Sequence, residues 1–457
     1  MNLYAKLLER QDAGRPVTVG LIGAGKFGTM FLAQARTTPG MHVVAVADLN
    51  VSRAAAQLKL SCWPQEQYAA TSFADAARNG STYLTDDADA LVQAPEIEVV
   101  IEATGDPKTG VRLALGAIAA GKHIVMVNVE ADVLVGPLLA RKARQAGVVY
   151  SLAWGDQPAV VCEHVDWARA SGFKVVAAGK GTRYLPHFHQ STPETIYDIL
   201  EGFIDVSDRS TINPKMFNSF LDGTKSGIEM TAICNATGLH AQTNGLSFPP
   251  ASRFEISNVC RPRSDGGSLE KAGVTECVSS VRRDGSPIPH ELSHGTFVVF
   301  EAAEDNAYSR ECLREYHALP DSTGRYATLY RPIHLNGMEL GISAASAALR
   351  NEPTGVPICF NADVSATAKR ALRAGEVLDG EGGFCVWGKQ VPAEISLREG
   401  YLPLGLAQHV SLIRDVSEGA CVTWDDVAID AADPVVRLRR EMEREFGPDT
   451  RAVEAAQ

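Results

Sequence analysis

The sequence holds no CxxC pair, no zinc-type spacing of Cys and His, no Lys/Arg run, and no apolar stretch near the roughly 20 residues of a membrane helix. Each absence closes a class. Nine scattered cysteines without a pairing pattern read as reduced thiols, not as a disulfide framework or a metal knuckle. Without a basic stripe, a formal net charge of −12 argues against a nucleic-acid partner, and the acidity is read as solubility. No membrane contact is expected. The opening MNLYAKLLERQDAGRP lacks the apolar core and cleavage site of a signal peptide, so a cytoplasmic protein is expected. What remains is ordinary soluble chain, 457 residues with 45% hydrophobic and 21% charged, enough for two or three domains with their own cores.

The strongest positive signal is PVTVGLIGAGKFG, residues 16–28. VTVGLI is apolar and β-branched, as a buried parallel strand should be. Gly23, Gly25 and Gly28 follow in the spacing G-x-G-x-x-G, enclosing Lys26 and Phe27, and FGTMFLAQAR reads on as a helix. The first glycine permits a tight turn, the second a close approach of pyrophosphate, and the third the packing of helix on strand. Phosphates would then rest on the helix N-terminus, where unpaired N–H groups and the helix dipole favour negative charge. A second strand, HVVAVAD, ends in Asp48, about 20 residues past the last glycine, where an acidic residue meets ribose hydroxyls. Asp48 favours NAD, whereas Arg53, with the small polar Asn50 and Ser52, leaves room for a 2′-phosphate. NAD and NADP both stand.

Strand and helix then alternate. EIEVVIEATG, the helix from Lys108 to Ala120, the strand HIVMV, the helix LLARKARQAG and the strand VVYSLAWG predict a doubly wound parallel sheet, an α/β Rossmann domain over 1–155. Ligands of such sheets lie at the carboxyl ends of the strands. That edge carries Thr104 and Gly105 after one strand, and Asn128, Glu130 and Asp132 after the next. Asn128 is expected near the nicotinamide, and Glu130 and Asp132 near substrate or a metal. Asp132 has a second reading as the cap of a helix beginning near Leu134.

The middle of the chain, 156–338, no longer alternates and is expected to form an α+β catalytic and oligomerisation domain. KVVAAGKGTRY places Lys180 and Arg183 around a glycine at a strand end, which suits an anionic group of a small-molecule substrate. A helix through 217–236 would put Asp222, Lys225 and Glu229 on one face. Its other residues are small and apolar, so the row reads as buried, with Lys225 a proton carrier oriented by two carboxylates. Asn235 lies further along the same side. Arg331 and His334 are secondary substrate candidates. Residues 339–354, with ELGISAASAALR, read as a helix returning to the first domain. The remainder, 355–457, reads as a small β-rich module ending in a charged helix and tail.

GLIGAGKFG, the strand ending at Asn128, the stretch holding Asp222 and Lys225, and GISAASAALR together resemble the homoserine dehydrogenase superfamily. AKRALRAGEVLDGEGG resembles the start of a SAF domain, a small β-clip-like module. The pairing resembles a SAF-containing, homoserine-dehydrogenase-like group that includes 1-deoxy-D-xylulose 5-phosphate reductoisomerase-like enzymes. The resemblance implies NADPH chemistry on a small hydroxylated substrate, and a homodimer or larger assembly. The superfamily's Asn-Lys pair is here Asn128-Val129, which speaks against homoserine itself. Gaining Glu130 and Asp132 fits a reductoisomerase, whose rearrangement would gain from Mg²⁺ or Mn²⁺ on carboxylate oxygens. A simple alcohol dehydrogenase and a non-enzymatic dinucleotide sensor are the alternatives.

Overall fold

A computed structural model describes residues 2–200, 213–303 and 305–447. Contacts divide the chain into two units, Met1–Cys162 with His334–Ile358, and Glu163–Ile333 with Cys359–Gln457.

The first unit is built on six strands, β1 (Val17–Ile22), β2 (Met41–Ala47), β3 (Tyr83–Thr85), β4 (Val99–Glu102), β5 (His123–Met126) and β6 (Tyr150–Leu152). They pair in parallel in the order β3-β2-β1-β4-β5-β6. The order reverses between β1 and β4, which is where such sheets open a ligand crevice. Helices on the sheet's faces explain the unbroken apolar strands. One of them is the late segment Gly341–Arg350, whose Ala344 and Ala345 enter the same core as Val19, Leu21 and Ile101. Its small side chains let it lie close.

The second unit carries a mixed sheet of β7 (Lys174–Thr182), β8 (Val274–Ser279), β9 (Thr296–Glu301) and β10 (Tyr326–Arg331), in the order β10-β9-β7-β8. The 224–237 helix packs on β7 and β8. On its other side it meets β11 (Ala362–Ala368) and β13 (Val386–Pro392), an antiparallel pair. A further small sheet combines β12 (Val377–Asp379), β14 (Gln408–Leu412) and β15 (Val427–Ala428). The β-rich C-terminal residues therefore share a unit with 163–333. Thr224 Oγ1 accepts the Gly388 N–H at 2.8 Å, and Asn235 Oδ1 accepts the N–H groups of Asn361 and Ala362 at 2.8 and 3.1 Å.

Three local expectations change. The single helix over 217–236 is two helices, Pro214–Leu221 and Thr224–Thr237. Gly223 between them has φ 91°, a left-handed conformation that glycine adopts without strain. The helix expected from Leu134 begins at Val129. The charged terminal helix, Pro434–Phe446, does not simply lie in solvent. Its Arg439 is fully buried, bonded to Asp363 at 2.6 Å and to Glu443 at 2.8 Å, over the ring of Phe360. The tail expected over 448–457 lies outside the described residues. Among the described residues no helix is long and apolar enough to cross a membrane.

Arg439→Met would leave Asp363 buried without its cation. Breaking a buried pair this way costs about 3–5 kcal/mol. A clear fall in the melting temperature is expected, while Arg437→Met, at an exposed position of the same helix, should leave it unchanged.

Candidate active site

In the first unit the three loop glycines separate by role. A Cβ on Gly23 (φ 99°) would strike the Ala103 carbonyl, and one on Gly28 would strike the Gly23 carbonyl, so both are held by close backbone packing. A Cβ on Gly25 would meet nothing within 4 Å. That open backbone, at the start of the helix Lys26–Ala35, is the place where a pyrophosphate fits. Gly25, Lys26, Thr104 and Gly105 are exposed, and Phe27 is half-buried.

Asp48 closes the far side. Its Oδ2 accepts the Ala24 N–H at 2.9 Å and its Oδ1 the Asn50 N–H at 2.9 Å. Arg53 donates to both oxygens, at 2.8 and 2.7 Å. Burial pushes the Asp48 carboxyl up, but the Arg53 hydrogen bond and the two backbone donors outweigh it and hold the group below its ordinary value. Arg53 thus sits on Asp48 while half its side chain stays exposed, 54%. Both readings of the cofactor meet in this pair, since a ribose hydroxyl would compete for Asp48 and a 2′-phosphate would draw Arg53.

At the ends of β4 and β5 the side chains turn inward. Asn128 is 2% exposed and works as a brace. Its Oδ1 caps the helix Val129–Gln145 by accepting the Ala131 N–H at 3.1 Å, and its Nδ2 donates to the Asp106 carbonyl at 2.9 Å. The expected contact with a nicotinamide therefore has a structural rival, because the strand must hand over to a helix at this residue. Beside it Glu102, which the sequence reading passed over, accepts the Thr104 N–H at 2.9 Å. Burial, opposed by hydrogen bonds from Thr104 and Asn128, pushes the Glu102 carboxyl up to about 7. A carboxylate ending the apolar run EVVIE was the visible signal.

Glu130 and Asp132 lie in the first turn of the same helix, both buried. Residues two apart on a helix do not face each other. Asp132 accepts the Tyr150 hydroxyl at 2.8 Å, and burial pushes its carboxyl up to about 7. Among the described residues no group of three or more His, Cys, Asp or Glu is placed to hold a metal. The pair does not fit the divalent cation expected of it.

In the second unit the carboxylate row meets cations from outside its helix. Glu229 pairs with Lys180 on β7, and Asp222 with Lys369 at 2.7 Å. All four side chains are at most 5% exposed. Lys180 is thereby turned onto Glu229, which competes with the anionic group expected of it together with Arg183. Arg183 lies past the strand end, half-buried, its guanidinium lowered by burial. Lys369 also donates to the carbonyls of Ser191 and Gly383 at 2.8 and 2.7 Å. A lone Lys closing the alternating strand ADVSATAK was its sequence signal. Asn235 is occupied by the 361–362 backbone, a brace in place of the expected substrate ligand. Arg331 ends β10 half-exposed, opposite Thr296. With burial as the larger cause, it helps lower His164 to about 4. His334, a secondary candidate, bonds the Gly155 carbonyl at 2.9 Å in the first unit.

Within residues 221–235 one side chain departs from this burial. Lys225 alone of that stretch is not buried; Glu229 lies one turn on in the same helix, whereas Asp222 lies before the break at Gly223.

Residues 17–127 match a family described as an oxidoreductase family with an NAD-binding Rossmann fold, and residues 155–340 one described as oxidoreductase DRL, catalytic domain. The protein is an NAD(P)-dependent oxidoreductase. No curated protein matches its sequence. Among solved structures, biliverdin reductase from Synechocystis sp. PCC 6803 aligns at 19% identity over 37% of this chain and 48% of the reductase, with a TM-score of 0.26. The oxidoreductase thus spans about half of that protein. Scyllo-inositol dehydrogenase from Lactobacillus casei aligns at 12% identity over 75% and 90%, at 0.36. A DOX-P reductoisomerase in complex with magnesium aligns at 17% identity over 49% and 58%, at 0.31. Scores of this size carry no argument about activity.

Two measurements follow from the oxidoreductase's cofactor side. Arg53→Ala frees Asp48 and should weaken NADPH roughly tenfold to a hundredfold, as loss of a charge-assisted bond does, with NADH unaffected or tighter. Equal losses for both in a fluorescence titration would contradict this. Glu102 sets a pH dependence. Between its ordinary value and about 7 the folded state keeps a proton that the unfolded chain has released. Stability should fall as pH rises through that window and level off above it. Glu102→Gln should remove on the order of 1–3 kcal/mol of that slope between about pH 5 and about pH 8. A melting series with the wild-type slope retained would reject the assignment.

Proposed function

We propose that the oxidoreductase uses NADP(H) to interconvert a carbonyl and a hydroxyl on a small anionic substrate, with Lys225 as its proton carrier. The observation that supports this is the partial exposure of Lys225 on a helix whose neighbouring residues are buried. Glu229 and Asp222 pair with Lys180 and Lys369.

Cofactor binding would use the glycine loop at Gly23, Gly25 and Gly28, with Lys26 and Phe27 on the helix start and Thr104 and Gly105 at the end of β4. Arg53 would take the 2′-phosphate. Leu49, 96% exposed beside Asp48, offers an apolar surface to the adenine. When bound, the nicotinamide supplies or accepts a hydride.

The protein's own part is proton handling and orientation. Lys225 delivers a proton to the carbonyl oxygen during reduction and removes it during oxidation. Glu229 holds Lys180 in place through their ion pair, and Asp222 anchors the turn from which the helix starts. Arg183 and Arg331 would hold the substrate's anionic group.

Two substrates divide the finer readings. The resemblance in sequence leads to 1-deoxy-D-xylulose 5-phosphate and reduction coupled to rearrangement. The poor fit of Glu130 and Asp132 to a cation favours the plainer dehydrogenase. NADPH consumption with 1-deoxy-D-xylulose 5-phosphate, with and without Mg²⁺ or Mn²⁺, separates them when homoserine oxidation is run alongside. Metal-dependent formation of a branched polyol phosphate establishes the reductoisomerase. On whichever substrate turns over, Lys225→Ala should lower kcat roughly 100-fold or more with NADPH affinity retained. Unchanged kcat would remove Lys225 from the mechanism.

A further inference from the structure

The second unit contains a cavity of about 200 Å³ that the proposed chemistry does not use. It lies where the start of the 224–237 helix, the loop before β8 and the strand β13 meet. Its walls include the rings of His189, Phe248 and Trp387, the cation of Lys389 and the amides of Asn244 and Gln390.

The rings are fixed in place. His189 stacks on Trp387 with centroids 3.8 Å apart and planes 20° from parallel. Phe248 stacks on Tyr184 at 3.9 Å and 16°. His189 Nδ1 bonds the Asp222 carbonyl at 2.7 Å. A carbonyl only accepts, so Nδ1 carries the proton and Nε2 accepts the Tyr184 hydroxyl at 2.8 Å. Both ring nitrogens are therefore used. The loop that carries Asn244 and Phe248 is tied to the buried Glu276. That carboxylate accepts from Gln242 Nε2 at 2.7 Å, Ser247 Oγ at 2.5 Å and the Phe248 N–H at 3.2 Å. The walls are thus ordered without an occupant.

Gln390 is held in the wall by its own core contacts, its Nε2 donating to Thr275 Oγ1 at 3.0 Å. Charge gives a second indication. Asp222 behind His189 is paired with Lys369, and Lys389 brings a further cation to the cavity wall.

We propose that this cavity binds a small one-ring aromatic anion. The ring lies among Trp387, His189 and Phe248, and the anionic group meets Lys389. The volume admits a single ring with short substituents and excludes drug-sized molecules, whose pockets are about 300–1,000 Å³. The ligand would touch Gly223, the hinge from which the Lys225 helix starts.

The test is calorimetric titration of the full chain with 4-hydroxybenzoate, beside its neutral analogue 4-hydroxybenzyl alcohol. Saturable binding of 4-hydroxybenzoate is expected, with the alcohol about tenfold or more weaker. Lys389→Met should weaken the anion by a similar factor and leave the alcohol unchanged. Should Lys389→Met prove unstable, Trp387→Phe serves, since it keeps an aromatic wall but should remove any ligand-induced quenching of Trp387 fluorescence. Absence of saturable heat, equal affinity for anion and alcohol, or binding untouched by these substitutions would overturn the proposal. None of these readouts requires turnover, so failure here is separate from failure of the proposed reaction.

Discussion

The second unit depends on keeping charge inside a nearly closed helix. The 224–237 helix is covered by β7 and β8 on one side and by β11 and β13 on the other. Placing Asp222 and Glu229 at such a position would be costly if they stood alone, because a buried unpaired carboxylate loses several kcal/mol of hydration. The two lysines that answer them come from opposite ends of the sequence, Lys180 from the sheet and Lys369 from the C-terminal strands. Each pair therefore also works as a tether. The C-terminal residues join this unit because the helix needs their cation and their backbone donors, and the helix can be this buried because they supply them. Lys225 holds the one partly exposed position of the stretch.

The cofactor loop is governed by a simpler economy of space. Gly23 and Gly28 are held by backbone carbonyls that a side chain would strike, whereas Gly25 faces open room. The same three residues that fold the turn thus leave one gap, and the gap coincides with unpaired N–H groups at a helix start. Asp48 then links loop and strand, with Ala24 on one oxygen and Asn50 on the other. Arg53 completes the set.

Much of this was legible in the sequence wherever one residue has one physical role. The glycine spacing, the apolar strands and Asp48 each constrain the local backbone, so their placement follows from pattern alone. The helix over 217–236 was misread because periodicity outweighed a single glycine, and Gly223 with φ 91° ends one helix and begins another. Asn128 and Asn235 illustrate a different limit. Both look like ligands in a string of letters, yet both satisfy nearby backbone, a demand seen only once the chain is folded. The pairing of Lys369 with Asp222 and the His189 cavity were hidden for a related reason, since their partners lie far away in sequence. Arg439 lies in the segment read only as a charged helix, and it is among the most buried side chains of the described residues.

The first unit shows what happens to buried carboxyls with and without a cation. Asp48, buried but paired with Arg53, is held below its ordinary value. Glu102 and Asp132, buried among neutral donors, rise to about 7. Glu102 and Asp132 lose more hydration than Asp48, and hydrogen bonds from Thr104, Asn128 or Tyr150 do not offset that loss; Asp48, less deeply placed, has a full positive charge and two backbone donors against it. One edge of one sheet therefore presents an anion fixed at neutral pH next to two groups poised to change protonation there. The fixed anion suits a structural and cofactor-selecting role. The poised ones make the strand ends sensitive to any charge brought near them, because a cation or a proton acceptor arriving at that edge would shift their ionisation at little cost.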